Sequence, residues 1–378
     1  MTAGDPNFPT NLSITASNRS AVQLGKETES GSGDEAEDAS QDIKSFGIAG
    51  RTWEAAYFLR HYLTPCRSPP SPAPQAPVFD PSCPLFSSSP SPPTSKTPLP
   101  RTLLELGSGT GFLSLSLAPH LSSNDTLILT DLENVCPLLE KNLETARARW
   151  RKKGVLREGG GEPEVLVRPL PWGDQRFLRR LMEQRDWRRP DYILASDLIY
   201  FEFLYAPLLR TLIGLTDVDE EKAGEQMPTV IFSYKVRSLT REQPFWEAFG
   251  RWFAFIPVQI GTPTPPSPSP SPSPSPSPAS SPYSSLSPLT TPPPPKPSPP
   301  HLSWTRFGSS IPAPTTSNPN GTDELYLFIC QRWSSTLGAD LGEVSDEDLL
   351  QGRGAGRGDE EGAGQFEEML LLGQEWDW

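Results

Sequence analysis

Leu103-Leu-Glu-Leu-Gly-Ser-Gly-Thr-Gly111 is the stretch from which the fold can be read. A short apolar run over 102–106 ends in three alternating glycines, and 112–121 resumes helical spacing, so the segment reads strand, tight turn, helix. Glycine belongs there for two reasons. The chain must reverse sharply, and a ligand must come up against backbone with no side chain in the way. Twenty residues past Gly111, a second apolar strand over 126–131 closes on Asp131. A carboxylate at that place can accept both hydroxyls of a ribose. The two features together imply a nucleoside-bearing cofactor at the carboxyl edge of a parallel sheet.

The glycine spacing separates two cofactor classes. A dinucleotide fingerprint reads GxGxxG, but position 112 is Phe, and the turn reads GxGxG with Glu105 two residues ahead. That pattern favours S-adenosyl-L-methionine, which needs no pyrophosphate cradle. Glu105 is then placed to position the loop or the ligand's ammonium group.

Working outward, further strands are expected at 164–170, 192–196, 229–234, 255–260 and 325–330. Helices are expected at 46–63 with Thr52 as cap, 135–150, 204–215 and 245–253. The alternation implies an α/β fold: a single doubly wound, Rossmann-like seven-strand sheet. No helix separates the last two strands, so they should pair antiparallel. The chain has 378 residues and 46 prolines, of which 12 lie in 65–98 and 21 in 261–320. Such stretches cannot hold helices or central strands. The expected organisation is therefore a disordered acidic tail over 1–44, one folded domain over 45–333 with disordered Pro/Ser-rich inserts at 65–98 and 261–321, and an acidic, mostly disordered tail over 334–378.

Net charge is -13, and the two tails together carry -15, which leaves 45–333 at +2. A near-neutral body offers no footprint for a phosphate backbone, so no nucleic-acid partner is expected. No run approaches ~20 apolar residues, and no membrane partner is expected either. Cys66, Cys83, Cys136 and Cys330 show no zinc spacing, and His61, His120 and His301 are scattered, so no metal is expected. The cysteine usage points to a reducing compartment, cytoplasmic with nuclear as a second location. A monomer is the expected state.

Several further stretches make the sequence resemble the seven-strand methyltransferases of the lysine-methylating group called methyltransferase family 16. They are RTWEAA at 51–56, LLELGSGTG at 103–111, LTDLENVCPLLEKNLE at 129–144, PLPWGD at 169–174, ASDLIYFEFLYAPLL at 195–209 and VIFSYKVR at 230–237. The resemblance implies a seven-strand methyltransferase sheet and a role for each matching residue. Trp53 would lie near the cofactor, Gly107, Ser108 and Gly109 would line it through backbone, and Asp131 would hold the ribose. Trp172 would cover the adenine, and Ser196 would close the floor. Asp197-Leu-Ile-Tyr200 matches the family's D-x-x-Y and would shape the channel for a substrate lysine. The expected activity is transfer of a methyl group to a lysine of a protein substrate, with an elongation factor preferred and a chaperone-like ATPase as the other choice. A small-molecule N-methyltransferase would share the cofactor half. A non-catalytic interaction module would have no need of Gly107, Gly109, Asp131 and Asp197 together.

Overall fold

The computed structural model describes residues 7–9, 13–17, 40–65, 78–86, 99–154, 162–217, 227–263, 302–308, 325–355 and 364–367. The disorder expected for most of the two Pro/Ser-rich stretches, and for much of both tails, falls outside the described residues.

The strands are β1 (Val78–Asp80), β2 (Thr102–Leu106), β3 (Thr126–Asp131), β4 (Glu164–Pro169), β5 (Tyr192–Ser196), β6 (Thr229–Lys235), β7 (Phe253–Pro257), β8 (Gln259–Pro263), β9 (Leu302–Arg306) and β10 (Leu325–Arg332). The helices are α1 (Ile43–Phe46), α2 (Glu54–Leu63), α3 (Phe112–Leu117), α4 (Cys136–Lys153), α5 (Gln175–Met182), α6 (Tyr205–Thr216), α7 (Leu239–Trp252) and α8 (Asp346–Leu350). Seven strands form one sheet in the order β4-β3-β2-β5-β6-β10-β7. The first five are parallel, and β10 runs antiparallel between β6 and β7. This is the doubly wound arrangement with an antiparallel end that the sequence implies.

Strand side chains alternate between two cores. Leu104, Leu106, Ile193, Ala195, Val230 and Phe232 pack against α5, α6 and α7, while Leu103, Leu127, Leu129, Leu194 and Ile231 pack against α2, α3 and α4. A sheet covered on both faces needs strands that are apolar throughout, and β2 and β3 are buried at every position.

Four expectations change. The helix expected over 46–63 is α2, which begins at Glu54 after a 3₁₀ turn over Gly47–Gly50, and Thr52 does not cap it. Its hydroxyl instead pairs with that of Thr110 at 2.9 Å. The aromatic helix starts at Leu239 rather than 245, because Pro244 sits inside it and hides its first turn. There the Glu242 carboxylate accepts the N–H groups of Arg237 at 3.2 Å and Ser238 at 3.1 Å. The strand read over 255–260 divides at Val258. β7 pairs with β10, and β8 leaves to form a small antiparallel sheet, β1-β8-β9. Two of its strands therefore come from the stretches read as excursions. Gly261 stands opposite Trp304, whose ring would lie 3.2 Å from any Cβ there.

Ordered residues also appear in both acidic tails. Leu349, Ala355 and Phe366 are buried in the core, and Phe366 stacks on Trp246 with centroids 4.8 Å apart. Arg210 fastens this segment through the carbonyls of Leu341 and Val344 and the carboxylate of Asp346. Near the other end, the Asn7 carbonyl accepts the Ile48 N–H at 2.9 Å, and Gln41 bridges Ser17 and Thr52.

Candidate functional site

The turn after β2 is left-handed at Gly107 (φ 58°), Gly109 (φ 53°) and Gly111 (φ 76°). A Cβ on Gly107 would stand 2.9 Å from both Leu198 and the Trp172 ring, so space as well as conformation demands glycine. Ser108 ties the turn to the end of β3. Its N–H donates to the Thr130 carbonyl at 2.9 Å, and its hydroxyl accepts the Thr130 N–H at 3.1 Å. Asp131 completes the frame. Its two oxygens accept the N–H of Gly109 at 2.7 Å and of Leu132 at 2.8 Å. Each oxygen keeps a lone pair for a further donor.

Two buried carboxyls face this turn. Burial pushes Asp131 up to about 6, against the two N–H bonds that favour its ionised form. Burial pushes Glu105 up to about 7, with Ser114 opposing and Asp131 adding to the rise. Among the described residues Glu105 makes no ion pair, although it is only 2% exposed. A buried acid without a cation beside it suits a cationic ligand.

The opposite wall is aromatic. Trp172 lies over Gly107, and Tyr200 meets it edge-on with centroids 6.4 Å apart. Trp53 immediately precedes α2 and donates from its indole to the Ile48 carbonyl at 3.1 Å. The Arg51 guanidinium covers its ring at 4.2 Å. Burial, with Asp131 and Asp197 nearby, raises the Tyr200 hydroxyl above its ordinary range, so it stays protonated at neutral pH.

Asp197 follows the end of β5, with Ser196 before it, and has φ 60°, the one positive value outside glycine among the described residues. Its N–H donates to the Ser233 carbonyl at 2.9 Å, and its carboxylate receives Arg237 in bidentate fashion at 2.8 and 2.5 Å. Asp197 therefore does not serve as a helix cap. The next helical turn is preceded by Phe201 and α6 by Leu204.

One cavity at the carboxyl edge of the sheet is lined by all ten residues singled out from the sequence: Trp53, Glu105, Gly107, Ser108, Gly109, Asp131, Trp172, Ser196, Asp197 and Tyr200. The sequence reading missed Arg51 and Asn7, which share the lining, and Arg237, which reaches Asp197 without lining the cavity. Arg237 closes the stretch VIFSYKVR, but nothing in that stretch points to its partner forty residues away. The buried acid at 197 was the available signal, since such a group requires a cation nearby.

The strand order, the glycine turn tied to a carboxylate on the neighbouring strand, and the aromatic wall define the seven-strand methyltransferase class of α/β proteins. More narrowly, the model of a lysine methyltransferase family matches residues 34–251, and the chain belongs to that family. It is 28% identical over 143 residues to protein-lysine N-methyltransferase EFM6 of Saccharomyces cerevisiae, a match over 36% of this chain and 50% of the relative. The chain thus spans about half the length of that curated relative. Among solved structures, precorrin-6y C5,15-methyltransferase of Geobacter metallireducens aligns at 11% identity and a TM-score of 0.27, covering 62% of this chain and 82% of that one. An O-methyltransferase of Bacillus cereus in complex with SAH aligns at 15% identity and a TM-score of 0.27, covering 43% and 67%. Among the described residues no helix is long and apolar enough to cross a membrane.

Proposed function

We propose that the protein is an S-adenosyl-L-methionine-dependent protein-lysine N-methyltransferase, acting in the cytoplasm on a translation elongation factor. Family membership supports lysine as the acceptor. The observation that carries the site assignment is that a single cavity joins the glycine turn and its two buried acids to the Asp197–Tyr200 turn.

The residues fit the methyl donor. Gly107, Ser108 and Gly109 present backbone, Asp131 has one lone pair per oxygen for the ribose, and Glu105 faces the ammonium group. Trp172 and Trp53 give flat surfaces, and Ser196 forms the floor. When bound, the cofactor supplies a methyl group on a cationic sulfur. The chain's own task is to bring an amine nitrogen into line with it, and alignment is worth several orders of magnitude in rate. A free lysine, with a pKa near ~10.4, must first lose a proton. Tyr200 is protonated and Asp197 is paired, so neither is a strong base. They orient the amine while water takes the proton.

Incubation of the protein with a radiolabelled methyl donor and purified elongation factor should label lysine in that substrate. No label in that protein would refute the elongation factor as substrate. In a whole-cell extract, label confined to small molecules would instead identify a small-molecule methyltransferase, and no label at all would refute catalysis.

The buried acids give a second expectation. A cationic ligand prefers Glu105 and Asp131 ionised, and their pKa values of about 7 and about 6 lie above the carboxylate norm. Ligand binding must therefore displace protons at acid pH. Affinity for S-adenosyl-L-methionine should strengthen as pH rises from ~5.5 to ~8, by up to about tenfold per unit for each proton released, and then level off. Stability of the ligand-free fold has the opposite trend. A raised carboxyl pKa favours the fold most below the unfolded value of ~4, and this advantage is lost as pH climbs through 6 and 7. The cofactor-induced rise in melting temperature should thus be larger at pH ~8 than at pH ~6. A rise that is the same at both would place the cation away from these acids.

A further inference from the structure

We infer that Arg237 is a positioning residue: by pairing with Asp197 it keeps that carboxylate compensated and in place, so that the substrate amine is received uncharged. The inference rests on the proposed reading of the Asp197–Tyr200 turn as the lysine-receiving element.

The geometry is that of a built pair. Arg237 donates to both Asp197 oxygens, at 2.8 and 2.5 Å. The Asp197 side chain has 0% exposure, against 32% for Arg237. Arg237 is itself held. Glu242 accepts its backbone N–H while also accepting the Tyr234 hydroxyl, and the Trp53 ring lies 5.6 Å from the guanidinium. Holding Asp197 also holds its left-handed backbone, from which the chain runs on to Tyr200 at the cavity wall.

The charged and titratable groups around the pair are Tyr200 on its own turn, Glu54 on α2 and Glu242 on α7, with Asp131 acting on Tyr200. Burial works against the guanidinium charge, but Asp197, then Glu242 and Glu54, outweigh it and raise Arg237 above its already high value. The cation therefore persists at any assay pH.

A lone buried carboxylate would hold a lysine as its ammonium ion and raise the lysine pKa by about 1 to 3 units. Such an amine has no lone pair to offer. A compensated carboxylate can accept an N–H from a neutral amine without retaining the extra proton, which goes to water. The nitrogen then forms its bond to the methyl carbon as the carbon–sulfur bond breaks.

The test compares wild type, Arg237→Gln and Arg237→Lys in single-turnover methyl transfer to the labelled protein substrate between pH ~7 and ~10. Binding of S-adenosylhomocysteine and thermal melting report on the cofactor site and the fold. Arg237→Gln should bind S-adenosylhomocysteine like wild type, with KM for the protein substrate unchanged or lower. It should transfer methyl about tenfold or more slowly at pH ~7.5, with the rising limb of its rate profile moved alkaline by about one unit or more. Arg237→Lys keeps the charge and should leave the limb in place. A Gln variant that is slowed equally at every pH, or not slowed, would reduce Arg237 to a structural anchor and overturn the inference. If the Gln variant does not fold, Arg237→Met, which keeps the apolar stem without the charge, decides against the Lys variant: a limb moved alkaline in Met and not in Lys upholds the inference, and limbs that coincide overturn it. A wild type that labels no lysine would overturn the functional reading itself, and this inference with it.

Discussion

Alanine at position 131 is expected to weaken binding of S-adenosylhomocysteine by about 1.5 to 3 kcal/mol, roughly 10- to 150-fold, as read by titration calorimetry. Two losses combine. The ribose hydroxyls lose a charged acceptor, and the N–H groups of Gly109 and Leu132 lose the carboxylate that holds them at 2.7 and 2.8 Å. The second loss loosens the glycine turn, since Gly109 is otherwise free to leave its left-handed conformation. Asp131→Asn should fall between, because its amide offers one oxygen where the carboxylate offers two. If the alanine variant is folded and its affinity is unchanged, the nucleoside does not sit against β3.

Alanine at Trp246 is expected to destabilise the fold by about 3 to 5 kcal/mol, the range for removing a large aromatic from a packed core. Trp246 is fully buried on α7. It meets Phe232, Tyr234, Phe255 and Phe328 at centroid distances of 5.5, 5.2, 5.5 and 5.1 Å, in addition to Phe366. These partners come from three strands and the C-terminal segment, so the cavity could not collapse by moving one element. The measurement is the midpoint of urea unfolding. A midpoint close to that of wild type would mean that the core beneath α5, α6 and α7 is loosely packed, and Trp246→Phe should recover much of the loss.

Much of the fold could be read because a doubly wound sheet writes itself locally. Each buried strand is a short apolar run, each connection is amphipathic or polar, and the glycine turn marks where the first strand meets its helix. The cavity was legible for the same reason: residues at the carboxyl ends of β2, β3 and β5 must converge once those strands are adjacent. What stayed hidden depended on partners distant in sequence. Arg237 carries no sign of Asp197, and the three-residue strand β1 has too little pattern to stand out within proline-rich composition. Pro244 obscured the first turn of α7, from which the Glu242 carboxylate reaches back to the N–H groups of Arg237 and Ser238 just ahead of the helix. Phe366 lies in an acidic context, and only its burial against Trp246 reveals its place.

The docking of Phe366 bears on how this protein is best prepared. A chain trimmed at residue 355 to remove its acidic end would lose the ring covering one flat face of the Trp246 indole, together with the Gln365 amide that donates to the Phe255 carbonyl at 2.9 Å. Bare aromatic surface of that kind drives self-association. A shortened version that precipitates would therefore reveal a missing plug rather than an unstable enzyme, and a useful truncation boundary lies beyond residue 367.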